Sequence, residues 1–385
     1  MDFSQILKKA SGVLTDLIPT GGKKEGSVIG IDIGSSSIKV VQLRKNRGAA
    51  ILETYGELAL GPYADLEVGQ ATNLPAEKLA EALTDIMREA NVTTKDAGIS
   101  VPLSASLVSL ITLPTRDPKE LARMVPIEAR KYIPVPISEV ALDWFVLPEE
   151  NAKYLGTPSG KGDKGDQTGA NKKSDVLLVA IHNDTLNKYQ TAAQGAAVTP
   201  TFYEIETFST ARSTLVQDVS PAMIVDIGAA STKMYIVEFG IVQVSHAVPK
   251  GSQDITLALS KSLTLSIPEA ETRKREQGLS TADGTATDES ISLSLDYLLT
   301  EAAHVLLAYQ KRSNKVVSKV VLSGGGSAMK GVMEYAKKFI DAPIELANPF
   351  AKTETPAFIE DALKNAGPTF AVAVGLALRK LQEKQ

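Results

Sequence analysis

The stretch Asp32–Lys39, DIGSSSIK, decides the fold, because the second half of the chain repeats it as Asp226–Lys233, DIGAASTK. Both copies read D-I-G-x-x-S-x-K, and each lies between two short apolar runs. Such a pattern predicts a β-hairpin with a turn rich in small residues. Because the motif recurs in both halves, the sequence predicts a duplicated molecule with two related lobes.

The two turns have the chemistry of an anion site. Glycine lets the backbone approach an anion closely, and successive N–H groups and hydroxyls in a tight turn form an anion-binding nest. Two such hairpins that face each other across a cleft would hold the phosphate tail of a nucleotide from both sides. The predicted phosphate-binding residues are Gly34, Ser35, Ser36, Ser37, Lys39, Gly228, Ala229, Ala230 and Ser231.

Each motif begins with an aspartate, which by itself would repel a phosphate. Asp32 and Asp226 are therefore expected to lie beside a cation. Mg²⁺ usually keeps several of its waters and is held through one or two carboxylates, so it suits this pair. The sequence thus predicts a Mg²⁺-dependent nucleotide site with these two aspartates at its metal end.

A third glycine-rich turn follows the apolar run Lys319–Leu322 and precedes a helix that is predicted over Val332–Ile340. A strand, a glycine turn and a helix N-terminus can together cradle a phosphate or a ribose. A tight left-handed turn would explain the glycines equally well on their own. Together with the two hairpins, the turn predicts the adenosine end of the same site. Its residues are Gly324, Gly325, Gly326 and Met329.

The composition is that of a soluble globular protein. The chain has 385 residues, of which 43% are hydrophobic and 22% charged, with a formal net charge of −4 and no Cys. Because nucleic-acid binding needs a basic surface, we expect no nucleic-acid partner. The lack of Cys excludes disulfides and thiolate metal sites. No run approaches the ~18 apolar residues of a membrane span, so we expect a cytoplasmic protein without a transmembrane segment.

Short apolar runs alternate with helical patterns from Val28 onward, which indicates the α/β class. Pro126 lies inside one predicted helix and is expected to kink or split it. The predicted strands are Val28–Ile33, Ile38–Leu43, Gly98–Val101 and Val176–Ile181, and the predicted helices are Ala76–Ala90 and Pro118–Ile133.

Two segments differ from this pattern. Residues 1–18 have apolar side chains at helical spacing, and a glycine- and lysine-containing linker follows up to residue 27. Such a helix either packs on its own domain or binds a partner or a membrane surface, and with only two lysines on its polar face the membrane is the weaker of the last two. Residues 154–174 have no bulky apolar side chain after Leu155, which indicates a mobile loop over residues 151–174.

The two hairpins and the glycine turn resemble the superfamily of actin, sugar-kinase and heat-shock-chaperone ATPases. In detail the chain is similar to the PilM family of type IV pilus assembly proteins, which are relatives of the cell-division protein FtsA. The resemblance implies two ribonuclease-H-like lobes with a nucleotide in the cleft. The segments that carry it are Val28–Leu43, Tyr132–Pro136 with Glu139, Leu142–Asp143, Glu345–Phe350 and Pro368–Arg379.

The same resemblance implies the domain organisation, with an FtsA-type subdomain inserted into the first lobe. The expected parts are residues 1–27 as helix and linker, 28–102 with 182–222 and 366–381 as the first lobe, 103–181 as the inserted subdomain with the loop 151–174, and 223–365 as the second lobe.

Further site residues come only from the resemblance. Glu271, Lys274 and Gly278 fit an E-x-x-K-x-x-x-G pattern whose Glu and Lys contact ribose and adenine in that superfamily. Without the resemblance, a pair at this spacing is most often a solvated surface ion pair. Ala229 and Ala230 depart from the superfamily, in which Gly or Thr is common, and they offer fewer hydroxyls to a phosphate.

The resemblance implies an ATP-binding protein that uses Mg²⁺ and is at most a weak ATPase, with no catalytic residue assigned. It also implies a cytoplasmic protein that is held at the inner membrane, within the pilus platform, by a PilN-like membrane protein whose N-terminal peptide it binds. An alternative is an enzyme of the same fold such as a sugar kinase, which needs a general base, and Asp32 is the only acidic residue of the first motif. An FtsA-like division ATPase would be expected to have a C-terminal amphipathic membrane helix, whereas this chain stops at Leu381–Gln385.

Overall fold

A computed structural model describes residues 26–147, 173–216, 220–279 and 286–383, with side chains from residue 289 onward in the last range. The predicted N-terminal helix and residues 151–172 of the predicted loop lie outside the described residues. The described chain forms two compact units, a smaller one over residues 104–187 and a larger one that contains the rest.

The strands and helices are numbered in chain order. The strands are β1 (Val28–Ile33), β2 (Ser37–Asn46), β3 (Ala49–Ala59), β4 (Asp96–Val101), β5 (Ser106–Leu113), β6 (Val140–Val146), β7 (Ser174–His182), β8 (Thr199–Ile205), β9 (Ala222–Ile227), β10 (Thr232–Glu238), β11 (Ile241–Val248), β12 (Lys319–Ser323) and β13 (Ile344–Leu346). The helices are α1 (Ala76–Glu89), α2 (Pro118–Ala129), α3 (Asn183–Gly195), α4 (Glu206–Thr214), α5 (Ser252–Leu263), α6 (Ile267–Glu276), α7 (Ala286–Ser313), α8 (Val332–Ala336) and α9 (Glu360–Glu383).

The smaller unit is an antiparallel sheet of order β5-β7-β6 that packs against α2. The helix begins at Pro118 because the Asp117 carboxylate accepts hydrogen bonds from the backbone N–H groups of the first turn. Pro126 does not split the helix, which continues to Ala129, although it ends four residues before the predicted Ile133. The apolar face of α2 is buried on the sheet, and this packing stabilises the helix although it contains Pro126.

The larger unit contains two five-stranded sheets of the same topology. Their orders are β3-β2-β1-β4-β8 and β11-β10-β9-β12-β13. In each sheet a three-stranded antiparallel meander is followed by two parallel strands. Each D-I-G motif lies at the end of the central strand, β1 or β9, where the hairpin to the next strand begins. The duplication that the sequence predicts is therefore confirmed in the fold.

Helix α9 lies directly on the first sheet, although it comes from the end of the chain. Its buried residues Phe370, Ala373 and Val374 form a core cluster with β1 and β2. A Cβ atom at Gly30 of β1 would lie 2.0 Å from the Ala373 carbonyl oxygen. Only glycine allows this approach, which brings the residues around Pro368 close to the end of the strand.

A buried ionic cluster joins β8, α4 and α9. The Glu204 carboxylate accepts two hydrogen bonds from the Arg212 guanidinium, both at 2.7 Å, and one from Arg379 at 2.7 Å. Although burial opposes ionisation, the two arginines lower the pKa of Glu204 to about 2. Gly375 completes the junction, because a Cβ there would lie 1.9 Å from the Ser209 carbonyl oxygen.

Helix α7 covers the second sheet. In the described part of the chain, the stretch Glu289–Ser313 is the one helix whose length and mean hydropathy of 1.3 would suffice for a membrane span. We expected no such segment from the sequence. Its face with Ile291, Leu295 and Leu299 is buried in the core of the second sheet, and 33% of the apolar window is buried.

Candidate functional site

The turns of the two D-I-G hairpins and the third glycine turn line one cavity of about 290 Å³ in the larger unit. Every predicted site residue except Gly278 lines it. These lining residues are Asp32, Gly34, Ser35, Ser36, Ser37, Lys39, Asp226, Gly228, Ala229, Ala230, Ser231, Glu271, Lys274, Gly324, Gly325, Gly326 and Met329.

Gly278 has a different role. It follows the end of α6 with a φ of +56°, and a Cβ atom there would lie 2.5 Å from the Lys330 carbonyl oxygen. The glycine is therefore required by the backbone turn and by close packing. The structure does not place it among the residues that line the cavity.

The two hairpin turns have the same geometry. The Gly34 N–H donates to the Ser37 carbonyl oxygen at 3.1 Å, and the Gly228 N–H donates to the Ser231 carbonyl oxygen at 3.0 Å. A Cβ atom on either glycine would lie 2.9 Å from that carbonyl oxygen. The turns are therefore tight, and their small residues leave the backbone accessible from the cavity.

Free backbone donors lie at the tips of both turns. Within the described chain, four N–H groups in these turns have no protein acceptor, and a row of such donors in a tight turn suits an anion. These groups belong to Ser35, Ser36, Ala229 and Ala230.

In the first hairpin, Asp32 is buried and accepts a hydrogen bond of 2.9 Å from the Ser100 hydroxyl. Burial raises the pKa of Asp32 above its ordinary value, and the Lys39 ammonium offsets part of this rise. Lys39 Nζ lies 4.0 Å from the nearest oxygen of Asp32 and 4.0 Å from that of Glu57. Lys39 is therefore close to two carboxylates without a short bond to either.

The second hairpin holds its lysine tightly. Lys233 Nζ lies 3.2 Å from Asp226 Oδ2 and 2.7 Å from Glu206 Oε2. Burial by itself would lower the pKa of Lys233, but the Asp226 and Glu206 carboxylates outweigh it and raise the pKa above its ordinary value. The other Glu206 oxygen accepts a hydrogen bond of 2.7 Å from the Leu103 N–H.

Glu206 and Lys233 are functional candidates that the sequence analysis did not select. The position of Lys233 in the repeat matches that of Lys39 and could have identified it. Glu206 has no comparable signal, because it lies outside the repeat and follows another glutamate, Glu204, two residues earlier in the chain. Only the packing of this helix brings its carboxylate to the cavity.

Glu271 and Lys274 form the opposite wall of the cavity. Lys274 Nζ donates to Glu271 Oε2 at 2.7 Å and to the Thr256 hydroxyl at 2.8 Å, and Arg275 Nε donates to Glu271 Oε1 at 2.6 Å. Burial lowers the pKa of Lys274. At Glu271, burial by itself would raise the pKa, but the charge of Lys274 and the hydrogen bonds outweigh it, so the pKa of Glu271 is lowered. The pair is only 6% exposed at each residue, so the interpretation as a solvated surface ion pair is wrong.

The third glycine turn packs against the second hairpin. Gly324 has a φ of +81°, and a Cβ atom there would lie 2.3 Å from Asp226 Oδ1. Its N–H donates to the Pro368 carbonyl oxygen of α9 at 2.9 Å. The turn thus links the second hairpin to the helix that covers the first sheet. The helix after this turn, α8, ends at Ala336 and is shorter than predicted.

A loop between β3 and α1 joins the first hairpin to the second lobe beside the cavity. The Thr72 N–H donates to the Ser35 carbonyl oxygen at 2.8 Å. The neighbouring Ala71 N–H donates to the Gln253 side chain of α5. Gly69 of the same loop lines the cavity and lies close to the Glu271 side chain. A Cβ atom added at residue 69 would be 2.8 Å from Glu271 Cδ.

The donors of this cavity fit a nucleoside triphosphate better than a bare metal ion. Within the described residues, no group of three or more His, Asp or Glu side chains could hold a metal. Asp32 and Asp226 can still contact a Mg²⁺ ion through its waters when the phosphates supply the remaining ligands. The free N–H groups and Lys39 provide positive ends for those phosphates.

Comparison with known proteins agrees with this geometry. Residues 30–381 match the family described as type IV pilus assembly protein PilM. The cell division protein FtsA of Neisseria meningitidis serogroup B is 22% identical over 349 residues, which cover 83% of this chain and 82% of that protein. FtsA of Bacillus subtilis is 27% identical over 146 residues, or 33% of each chain.

Solved structures show the same fold. The PilM–PilN type IV pilus biogenesis complex matches with a TM-score of 0.74 and 24% identity, over 91% of this chain and 98% of that one. The ethanolamine utilization protein EutJ of Carboxydothermus hydrogenoformans has a TM-score of 0.52 at 13% identity over 98% of this chain and 99% of that one. MreB 5 of Spiroplasma citri has a TM-score of 0.51 at 10% identity over 94% of this chain and 98% of that one. The duplicated actin-like fold is thus confirmed, and the match over residues 30–381 shows that the chain belongs to the PilM family of type IV pilus assembly proteins.

Proposed function

We propose that this member of the PilM family binds Mg·ATP in the cavity of its larger unit and acts as a nucleotide-dependent assembly protein. The observation that carries the proposal is that both copies of the D-I-G motif reach one cavity with matching turns. The solved MreB 5 structure with the same fold has the ATP analogue AMPPNP bound. This likeness supports a nucleotide as the ligand.

The two turns would hold the phosphates. The N–H groups of Ser35, Ser36, Ala229 and Ala230 donate to phosphate oxygens, and Lys39 supplies a positive charge. Bound Mg²⁺ would neutralise part of the phosphate charge, and Asp32 and Asp226 would contact its waters.

The opposite end of the cavity would hold the adenosine. The Glu271 carboxylate and the Lys274 ammonium are already fixed by Thr256, so they present a rigid polar wall to the ribose hydroxyls. Met329 adds an apolar contact for the base, and the Gly324–Gly326 turn lets the ligand approach the backbone. Rigid donors reduce the entropy that binding must overcome.

We further propose that the partner is a PilN-like membrane protein whose N-terminal cytoplasmic peptide binds this chain. The support is family membership and the fold shared with PilM in a PilM–PilN complex. Through such a partner the protein would be a peripheral component on the cytoplasmic side of the inner membrane.

Isothermal titration calorimetry on the full chain tests the nucleotide proposal. Parent protein should bind Mg·ATP, and Lys39→Met should weaken binding by at least about tenfold, because a charge-assisted hydrogen bond contributes roughly 1.5–3 kcal/mol. Lys337→Met is the matched control, since Lys337 is 51% exposed and pairs with Glu334 outside the cavity. No measurable heat with parent protein, or equal losses in both variants, would overturn the proposal.

A peptide pull-down tests the partner proposal. The N-terminal cytoplasmic peptide of a PilN-like protein is immobilised, and the full chain is applied with and without Mg·ATP. We expect retention that a scrambled peptide of the same composition does not reproduce. Equal retention on both peptides would contradict the partner assignment and leave the nucleotide proposal standing.

A further inference from the structure

Two lysines at equivalent positions of the repeat have different surroundings. Lys39 and Lys233 each lie directly across the hairpin from the aspartate of their motif, in the registers Asp32↔Lys39 and Asp226↔Lys233. Their side chains are equally buried, at 13% and 14% exposure. A difference in their bonding therefore does not arise from burial.

The difference comes from Glu206. Its Oε2 lies 2.7 Å from Lys233 Nζ, and its Oε1 accepts the Leu103 N–H. Both carboxylate oxygens therefore have a protein donor. Among the described residues, the two carboxylates nearest to Lys39 Nζ, those of Asp32 and Glu57, stay 4.0 Å away, so Lys39 has no equivalent bond there.

We propose that Lys233 is a positioning residue that holds the Glu206 carboxylate in an ion pair, so that the cavity retains a nucleoside triphosphate without activating water against it. This inference rests on the proposed nucleotide site. Glu206 lines the cavity that would hold the triphosphate, and a carboxylate there is suited to take a proton from an attacking water. The positive charge of Lys233 at Oε2 and the Leu103 N–H at Oε1 both favour the ionised carboxylate, so they disfavour this proton uptake.

The suppressed reaction is ordinary hydrolysis. The oxygen of a water molecule forms a bond to the γ-phosphorus, and the bond between that phosphorus and the β–γ bridging oxygen breaks. The water proton passes to the Glu206 carboxylate, and the products are the nucleoside diphosphate and inorganic phosphate. Solvent supplies the water, so no further reactant is needed.

Lys233→Met tests the inference, because methionine is unbranched and similar in length but carries no charge. Single-turnover hydrolysis of ATP by the full chain with Mg²⁺ should accelerate at least about a hundredfold, the lower end of what a general base contributes. The double variant Lys233→Met with Glu206→Gln should lose this gain. A merely structural role of Lys233 predicts a slower or equal rate instead.

Affinity gives a second readout, measured by calorimetry with the non-hydrolysable analogue AMPPNP. Two carboxylates already neutralise the charge of Lys233, so Lys233→Met should weaken AMPPNP binding less than Lys39→Met does. For Lys39→Met we expect an affinity loss of at least about tenfold. Lys337→Met, which lies outside the cavity, should show no acceleration of hydrolysis at saturating ATP. A larger affinity loss in Lys233→Met than in Lys39→Met would overturn the inference, since it would make Lys233 the main phosphate ligand.

A folding defect does not block the test. Lys233→Gln keeps a neutral polar side chain beside the two carboxylates in case Lys233→Met does not fold, and it removes the positive charge from Glu206 in the same way. Acceleration in that variant supports the inference, and an unchanged rate in a folded, AMPPNP-binding variant overturns it. If parent protein binds no nucleotide, the proposed function is wrong. If the variant binds AMPPNP but does not hydrolyse ATP faster, only the inference about Lys233 is wrong.

Discussion

The first hairpin, β1–β2, and the second, β9–β10, have nearly the same motif and the same turn geometry but different electrostatics. In the first, Lys39 lies 4.0 Å from its nearest carboxylate oxygens. In the second, Lys233 is bound by Asp226 and by Glu206, which comes from α4. The repeated motif therefore fixes the backbone of the site, whereas the neighbouring helix determines which charge is available to a ligand.

The largest effect on the second hairpin is expected when the packing of α4 is weakened, because this helix brings Glu206 to the hairpin. Glu204→Gln removes the carboxylate that the partly buried Arg212 shares with the buried Arg379, which keeps its ion pair with Glu383. Breaking a buried ion pair in this way should lower the free energy of unfolding by about 3–5 kcal/mol, measured by urea denaturation. Glu345→Gln, which affects the exposed pair with Lys319, should lower it by less than about 1 kcal/mol.

The same cluster predicts an acid dependence. The pKa of Glu204 is lowered to about 2 from the ordinary value of 4.5, so its stabilising contribution is complete above pH 4.5. Because the native state binds this proton less readily than the unfolded chain, the contribution falls as the pH falls from 4.5 towards 2. The difference in unfolding free energy between parent protein and Glu204→Gln should shrink over that range. A constant difference would contradict the buried ion pair.

A glycine variant disturbs only the second hairpin. Gly324→Ala places a Cβ against Asp226 Oδ1 at a φ of +81° and a ψ of 162°, a region that essentially only glycine occupies, whereas Gly331→Ala has a left-handed φ of +82° and a ψ of −9° and meets the Leu279 side chain outside the cavity. Gly331→Ala should cost about 1–2 kcal/mol in stability, and Gly324→Ala should cost more. Only Gly324→Ala should also weaken Mg·ATP binding, by several-fold in calorimetry. Equal affinity losses would show that strain alone explains them.

Exchanging the turn residues measures how much each turn contributes to Mg·ATP binding. Ser36→Ala removes a hydroxyl from the first turn, and Ala230→Ser adds one at the corresponding position of the second. Because one hydrogen bond contributes about 0.5–1.5 kcal/mol, Mg·ATP affinity should fall and rise respectively by about two- to tenfold. A gain from Ala230→Ser larger than the loss from Ser36→Ala would mean that the second turn, not the first, dominates phosphate binding.

The smallest expected effect concerns the loop that joins the first hairpin to α5. Gln253→Ala removes the side-chain acceptor of the Ala71 N–H, so the loop should open more often. Nucleotide release, followed by stopped flow with a fluorescent ATP analogue, should accelerate about two- to fivefold for the loss of one hydrogen bond. Gln243→Ala on β11, outside the cavity, is the control and should leave the release rate unchanged. Unchanged release in Gln253→Ala would show that the loop does not gate the cavity.

The sequence predicted the duplicated hairpins and the third glycine turn, and the structure places their residues on one cavity. These features were accessible because a tight turn between two strands is encoded locally, by glycine and small residues at fixed spacing. The strand Val28–Ile33 was predicted with its observed bounds for the same reason. Gly278 was selected because its sequence spacing matches a ligand pattern, but it does not line the cavity, and its backbone serves the turn against Lys330.

By itself, the sequence determined the repeat, the α/β class and most of the cavity lining, since each depends on short stretches of chain. Only the tertiary structure decided that Glu206 binds Lys233, that Glu204 joins two arginines, and that Glu271 and Lys274 are buried. The physical reason is that an ion pair across a cleft depends on where separate helices and sheets pack. That packing is set by the whole core and not by the residues near each charge in the chain.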